Sequence, residues 1–167
     1  MAIVNEVPTA RVWAVEMSRE AHAWATRNVS NFGDDRVELV LGDVRDLDPG
    51  ASGPGTSLRE RFAPLRGRVR VLVSNPPYVP EGMVPRDPEV REHDPSLALY
   101  GGHDGLDLIR VISRVGLELV APGGSIILEH AETQGAMIRS LLTADGWRAA
   151  ATHPDLTMRD RTTTAVR

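Results

Sequence analysis

The sequence has no cysteine and no long apolar run, and each absence excludes a class of protein. Without cysteine it forms no disulfide, thiolate nucleophile or zinc-thiolate site, and its five histidines show no metal-ligand spacing. No run approaches the ~18 apolar residues that span a membrane, and residues 1–7 lack a basic leader. We therefore expect a soluble cytoplasmic protein without a bound metal.

Positive charge is also scarce, because 19 Lys and Arg residues face 23 acidic residues and the formal net charge is -4. A nucleic-acid partner is disfavoured, since no global basic field would hold a phosphate backbone. The 167 residues, of which 41% are hydrophobic, suit one buried core, so we expect a single domain over 1–167. The sequence does not indicate the oligomeric state.

Strand and helix patterns alternate along the chain and predict an α/β fold with a doubly wound, mostly parallel sheet. The predicted strands are 11–15, 37–41, 69–74, 125–128, 147–152 and 162–166, the last two as an antiparallel pair. The predicted helices follow the caps Ser18 and Asp104 and cover 133–143, with a loop over 48–67 and a stop at Pro122-Gly123-Gly124. We expect 69–74 to be buried on both faces, since it is almost continuously apolar.

Three polar residues end predicted strands: Glu16, Asp43 and Asn75. In open α/β sheets ligands bind beyond the carboxyl ends of the strands, so this edge is the predicted site. Glu16 has the position of a carboxylate that accepts ribose hydroxyls, or is a solvated charge at a helix start. Asp43 has the chemistry to accept the exocyclic amine of adenine, or caps a turn after Gly42.

The segment Asn75-Pro76-Pro77-Tyr78 carries the strongest chemical signal. An amide or exocyclic amine is a poor nucleophile because its lone pair is delocalised, so a catalyst must orient it and accept its hydrogens. The Asn75 side-chain oxygen and the Pro76 carbonyl are such acceptors, two prolines fix the backbone, and Tyr78 offers a flat face. The alternative interpretation is a rigid turn after a buried strand.

The remaining polar candidates are weaker. The glycine-rich stretch 101–105 matches no nucleotide-binding spacing and is interpreted as a flexible lead into the next helix. His93 and His103 have the chemistry of general bases, although an isolated loop histidine is more often simply exposed. Glu129-His130 is interpreted as structural hydrogen bonding.

Residues along the whole chain carry a resemblance to a known family. They are Ala14-Val15-Glu16, Gly42-Asp43, 73–80, His93-Asp94-Pro95, 98–102, Gly105-Leu106, 119–124 and Leu128-Glu129-His130. In these positions the chain resembles the release factor glutamine N(5)-methyltransferases, the HemK-like protein-glutamine methyltransferases. Adenine amino-methyltransferases of DNA and RNA share the tetrapeptide, whereas 94–105 resembles the glutamine branch.

The resemblance implies a Rossmann-like class I methyltransferase with a seven-stranded sheet and S-adenosyl-L-methionine as donor. It implies transfer to the glutamine of the Gly-Gly-Gln loop of a peptide-chain release factor, the expected protein partner. By position, Glu16 would hold the ribose and Asp43 the adenine, beside Val44 where relatives often carry an aromatic residue. Asn75, which also contacts the donor, would bind the substrate amide with Pro76, between Pro77 and Tyr78.

The same resemblance implies that the family's first strand and glycine-rich motif lie just before Met1, as does its helical amino-terminal domain. We therefore expect an amino-terminally truncated domain that binds the donor poorly by itself. Two alternatives stay open: an adenine amino-methyltransferase acting on DNA or RNA, and a non-catalytic truncated remnant. A basic or aromatic groove would favour the first of these.

Overall fold

The computed structural model describes residues 2–31, 35–50, 56–84, 89 and 95–167. They divide into two compact units, residues 1–61 and 62–167, and each unit is described by itself. Within the described ranges, no helix is both long and apolar enough to cross a bilayer. The single domain expected from the sequence stays a prediction.

The first unit holds a two-stranded parallel sheet with Val12 opposite Val37 and Glu16 opposite Leu41. Its elements are α1 (Ala2–Glu6), β1 (Val12–Glu16), α2 (Arg19–Asn31), β2 (Val37–Leu41), a 3-10 helix (Val44–Leu47) and α3 (Thr56–Phe62). The predicted cap of α2 is confirmed, because the Ser18 hydroxyl accepts the Ala21 amide at 3.2 Å. Both strands end at the same edge of the sheet, since they are parallel.

The outer surface of this unit carries two tryptophans. No residue of α2 is buried, and Trp24 is 59% exposed with the Arg27 guanidinium 5.6 Å from its ring centroid. Trp13 donates from Nε1 to the Glu38 carboxylate at 3.0 Å, an exposed contact. Trp24, the largest apolar side chain of α2, therefore lies outside the core.

The predicted loop over 48–67 is wrong from Thr56 onward, because α3 occupies Thr56–Phe62 and a further 3-10 helix occupies Ala63–Leu65. Residues 51–55 lie outside the described residues. The Arg59 guanidinium donates to the carbonyls of Asp46 at 2.7 Å and Asp48 at 2.6 Å. These contacts and the burial of Leu58 stabilise α3, which is too short to be stable by itself and was not predicted from its sequence.

The second unit is a mixed sheet with the strand order β3-β4-β6-β5. Its labelled elements are β3 (Val69–Ser74), α4 (Ser96–Leu99), α5 (Asp107–Leu119), β4 (Val120–Glu129), α6 (Gly135–Asp145), β5 (Arg148–Pro154) and β6 (Asp160–Val166). β3 and β4 are parallel, and β6 runs antiparallel to β4 and to β5. The predicted antiparallel pair at the end of the chain is confirmed.

The core of this unit lies between the sheet and two helices, with α5 against β4 and α6 against β5 and β6. Burying one large apolar side chain stabilises by about 1.5–3 kcal/mol. Trp147 is 2% exposed, and its Nε1 donates to the Ser113 hydroxyl at 3.1 Å. Ser113 in turn donates to the Asp145 carboxylate at 2.5 Å, so each donor in this buried group is paired.

β3 is the edge strand of this sheet, and its predicted burial on both faces is wrong. Val71 and Val73 are 53% and 56% exposed. β4 is its only partner among the described strands. The helices α5 and α6 pack on the other strands and leave this edge uncovered.

The segment Pro122-Gly123-Gly124 lies inside β4 and does not separate a helix from a strand as predicted. Gly123 has φ +80, and its amide donates to the Arg167 carbonyl at 3.0 Å. The Arg167 amide donates back to the Gly124 carbonyl at 3.0 Å. The glycines thus form an irregularity through which pairing continues, and the register with β3 shifts between Val69 and Val71.

Candidate functional site

Glu16 and Asp43 lie at one edge of the first unit's sheet. Glu16 is the last residue of β1, and its carbonyl accepts the Gly42 amide at 3.0 Å, which joins the ends of the two strands. Its carboxylate Oε1 accepts the Ser18 amide at 2.7 Å. This bond orients the carboxylate and leaves further lone pairs on both oxygens for a hydroxyl donor.

Asp43 acts as a helix cap in this structure. Its Oδ1 accepts the Arg45 amide at 2.9 Å at the start of the 3-10 helix, and the Arg45 guanidinium lies 3.2 Å from Oδ2. Asp43 thus has the capping role after Gly42 that was one of its two interpretations from the sequence. Val44, the first residue of that helix, is half-buried.

The acceptor loop, residues 75–78, belongs to the second unit and follows β3 directly. Asn75 is exposed, Pro76 is buried, and Pro77 and Tyr78 are half-buried. The Val79 amide donates to the Leu99 carbonyl at 2.8 Å. The loop therefore presents the Asn75 amide outward from a backbone that is fixed on both sides.

The glycine loop, residues 101–105, packs against the acceptor loop. A Cβ added at Gly101 would lie 2.4 Å from the Pro77 carbonyl oxygen, and one at Gly105 would lie 2.1 Å from that of Tyr78. Gly105 also has φ +75, in the left-handed region that favours glycine. The interpretation of 101–105 as a flexible lead into the next helix is therefore wrong, since Gly101 and Gly105 let two backbones approach closely.

A charged pair closes the glycine loop. The cap of α5 is Leu106 and not the predicted Asp104, whose Oδ1 instead accepts the Leu106 amide at 3.0 Å. The Arg110 guanidinium donates to both Asp104 oxygens, at 3.0 and 2.6 Å. This bidentate pairing is the main reason that the pKa of Asp104 falls to about 2.

Gln134 was missed by the sequence reasoning. It is 2% exposed, and its Nε2 donates to the Tyr78 carbonyl at 2.8 Å and to the Asp104 carbonyl at 3.3 Å. Its Oε1 accepts the Ala131 amide at 2.9 Å. The sequence signal that could have indicated Gln134 is its place as an uncharged polar residue between the end of β4 and the apolar helix α6.

The histidine candidates have different outcomes. His93 and Asp94 lie outside the described residues, and His103 is exposed. His130 is fully buried with both nitrogens bonded, Nδ1 to the Ala131 carbonyl at 2.8 Å and Nε2 to the Thr163 hydroxyl at 2.8 Å. The geometry agrees with a structural role for His130.

The bonds of His130 fix the direction of a buried hydrogen-bond chain. A carbonyl only accepts, so Nδ1 carries the proton and Nε2 accepts from Thr163. Thr163 then accepts from Thr152, which accepts from the Arg139 guanidinium. Burial lowers the pKa of His130, as do the positive charges of Arg139 and Arg161, against Asp160 and the Ala131 carbonyl, which raise it.

Stability should therefore depend on the titration of His130. Its folded pKa is depressed, so below about 6.5 the unfolded chain binds a proton that the folded one does not. Unfolding free energy should fall by up to ~1.4 kcal/mol per pH unit below that value. Urea unfolding between pH 7 and 5 should show this slope in wild type and in the His103→Gln control. His130→Gln should lack it, and an unchanged slope in that variant would contradict the assignment.

Curated relatives match nearly the whole chain. The release factor glutamine methyltransferase of Streptomyces coelicolor is 42% identical over 99% of this chain and 53% of its own length. That of Bifidobacterium longum is 39% identical over 99% of this chain and 55% of its own. A 4-amino-L-phenylalanine/4-methylamino-L-phenylalanine methyltransferase of Streptomyces pristinaespiralis is 39% identical over 100% of this chain and 51% of its own. The chain spans about half the length of these relatives, and no protein-family model matches it.

Two solved structures with a similar fold are named as methyltransferases. A predicted O-methyltransferase of Agrobacterium tumefaciens has a TM-score of 0.63 at 16% identity, covering 99% of this chain and 66% of its own. A methyltransferase of Pyrococcus furiosus has a TM-score of 0.63 at 15% identity with the same two coverages. The expected Rossmann-like class I methyltransferase fold is confirmed. By sequence, the chain is similar to about half the length of the release factor glutamine methyltransferases of Streptomyces coelicolor and Bifidobacterium longum.

Proposed function

We propose that this chain supplies the acceptor site of an enzyme that transfers a methyl group from S-adenosyl-L-methionine to the side-chain amide nitrogen of a glutamine in a peptide-chain release factor. The observation that carries the proposal is the acceptor loop, which presents an exposed Asn75 amide directly after a strand. The similarity to release factor glutamine methyltransferases supports the choice of a nitrogen acceptor.

The donor side of the proposal depends on Glu16, Asp43 and Val44. Glu16 keeps lone pairs for ribose hydroxyls, and Asp43 keeps lone pairs beside its cap for an adenine amine, so these acceptors fit the group. When bound, S-adenosyl-L-methionine supplies a methyl group on a positively charged sulfur. A fold neighbour, the fibrillarin of Aeropyrum pernix, was crystallised with this compound natively bound and has a TM-score of 0.55.

The acceptor loop would orient the substrate nitrogen. The Asn75 side-chain oxygen and the Pro76 carbonyl accept one hydrogen each from the NH2 group, which aims its lone pair away from the protein acceptors. Tyr78 lies beside the planar amide, where its ring limits rotation. Once methylated, the substrate nitrogen would be positively charged and acidic enough to release a proton to water. No strong base is required.

A second candidate substrate is an aromatic amine. The relative of Streptomyces pristinaespiralis, named for 4-amino-L-phenylalanine, matches this chain with almost the same identity as two release-factor enzymes. An aniline nitrogen shares the key difficulty of an amide, since its lone pair is delocalised into a neighbouring π system. The acceptor loop therefore suits both nitrogens.

Labelling with a radioactive methyl donor should separate the candidates. We expect the release factor to be labelled at glutamine, with less than about a tenth of that rate on 4-amino-L-phenylalanine or an adenine-containing oligonucleotide. The assay uses this chain and a hybrid in which it replaces the matched half of the Streptomyces coelicolor relative. Dominant labelling of the amino acid or the oligonucleotide would transfer the proposal to that substrate, and no labelling by the hybrid would favour a non-catalytic protein.

A further inference from the structure

We infer that Gln134 is a positioning residue that fixes the backbone of the acceptor loop through a hydrogen bond to the Tyr78 carbonyl. This inference rests on the proposed function of that loop. Its side-chain amide uses all its principal hydrogen-bonding directions inside the protein. Nε2 donates to the carbonyls of Tyr78 at 2.8 Å and Asp104 at 3.3 Å, and Oε1 accepts the Ala131 amide at 2.9 Å. One side chain therefore joins the acceptor loop, the glycine loop and the end of β4.

The space for this contact is made by a glycine. A Cβ at Gly105 would lie 2.6 Å from Gln134 Nε2 and 2.1 Å from the Tyr78 carbonyl oxygen. Only a residue without a side chain leaves the amide room to reach that carbonyl. The approach of Gln134 to Tyr78 is therefore supported by two segments separate in sequence.

Gln134 is itself held rigidly. Its backbone amide donates to the Ala131 carbonyl at 2.9 Å, and its backbone carbonyl accepts the Ile138 amide at 3.0 Å in the first turn of α6. Its side chain is buried at 2% exposure, so water does not compete for the Tyr78 carbonyl. The residue thus transmits the position of α6 to the backbone that follows Asn75 and Pro76.

An amide is required at this position because both partners of Nε2 are carbonyl oxygens. Glutamate has nearly the same shape and keeps the bond from the Ala131 amide, but its ionised carboxylate only accepts. It would face two carbonyl oxygens, which repel it, and the Tyr78 carbonyl would turn away. Burial favours a protonated carboxyl, which would donate again, so transfer is measured at alkaline pH, where Gln134→Glu is ionised and removes the donor with little change in volume.

The matched control is Ser113→Ala. Ser113 is fully buried and bonded to Trp147 and Asp145, so its loss also costs buried hydrogen bonds, but none of these residues touches the acceptor loop. Urea unfolding ranks the two variants by stability. Methyl transfer then shows whether a loss of rate follows stability or the position of the loop.

We expect Gln134→Glu to lower kcat at least 30-fold with the KM for the donor within threefold of wild type, while Ser113→Ala keeps at least half of the wild-type kcat. In NMR spectra, the Asn75 side-chain amide signals should shift in Gln134→Glu and stay in place in Ser113→Ala. Unmoved Asn75 signals, or equal rate losses in both variants, would overturn the inference. If the hybrid carrying the wild-type sequence transfers no methyl group, the proposed function fails, and the NMR comparison alone decides the role of Gln134.

Discussion

Replacing Asn75 by alanine should reduce methyl transfer by roughly 30- to 1,000-fold while the fold stays intact. The substrate NH2 would lose one of its two oriented acceptors, and such a bond is worth about 2 to 4 kcal/mol in a transition state. Asn75 is exposed, so its truncation removes no core contact. The measurement is the initial rate of methyl incorporation into the preferred acceptor, with circular dichroism as a check of folding.

The position can also be tested with a conservative change. Asn75→Asp keeps a hydrogen-bond acceptor of the same shape but adds a charge. Because the proposed role of Asn75 is to accept a hydrogen from the substrate NH2, Asn75→Asp should retain more activity than Asn75→Ala. Exposed Asn5, in α1, provides a control for alanine substitution at an asparagine outside the site. Asn75→Ala activity above about a third of wild type would remove this side chain from the mechanism.

Replacing Gly105 by alanine should destabilise the second unit by about 2 to 5 kcal/mol, the sum of a left-handed backbone and an overpacked contact. Two control glycines separate these causes. Gly82 has φ +85 and nothing within 4 Å of an added Cβ, so Gly82→Ala tests the backbone alone. Gly101 has no positive φ but would meet the Pro77 carbonyl at 2.4 Å, so Gly101→Ala tests the contact alone.

Urea unfolding of the three variants gives the measurement. Gly82→Ala should cost about 1 to 2 kcal/mol. Gly105→Ala should cost more than Gly82→Ala by about 1 to 3 kcal/mol, the range for overpacking. Equal losses in Gly82→Ala and Gly105→Ala would mean that the acceptor and glycine loops do not constrain each other.

Local pattern was enough to predict the strands that begin the site. The strands Val37–Leu41 and Val69–Ser74 were predicted at their observed bounds, because short apolar runs closed by polar or turn residues define both. The placement of Asn75 after a strand followed from the second of these runs, and that of Glu16 from the predicted strand 11–15, which the structure gives as Val12–Glu16. Their roles toward donor and substrate stay predictions.

Contacts between distant segments could not be read from local pattern. α3 depends on Arg59 reaching two carbonyls, and Asp104 left its predicted cap position for Arg110, which lies one turn into α5. The burial of β3 was overestimated because hydrophobicity does not say which strand lies at an edge. Contacts among Tyr78, Gly105 and Gln134 join segments that are far apart in the sequence.

The distribution of tryptophan gives each unit its own optical reporter. Trp147, with its indole buried and hydrogen-bonded to Ser113, is the sole fluorophore of its kind in residues 62–167, while Trp13 and Trp24 both lie in residues 1–61. A buried indole emits at shorter wavelength than an exposed one, so Trp147 contributes a blue component and Trp24, which is 59% exposed, a red one. The unfolding of residues 62–167 is thereby visible as a red shift of the blue component, without any attached dye.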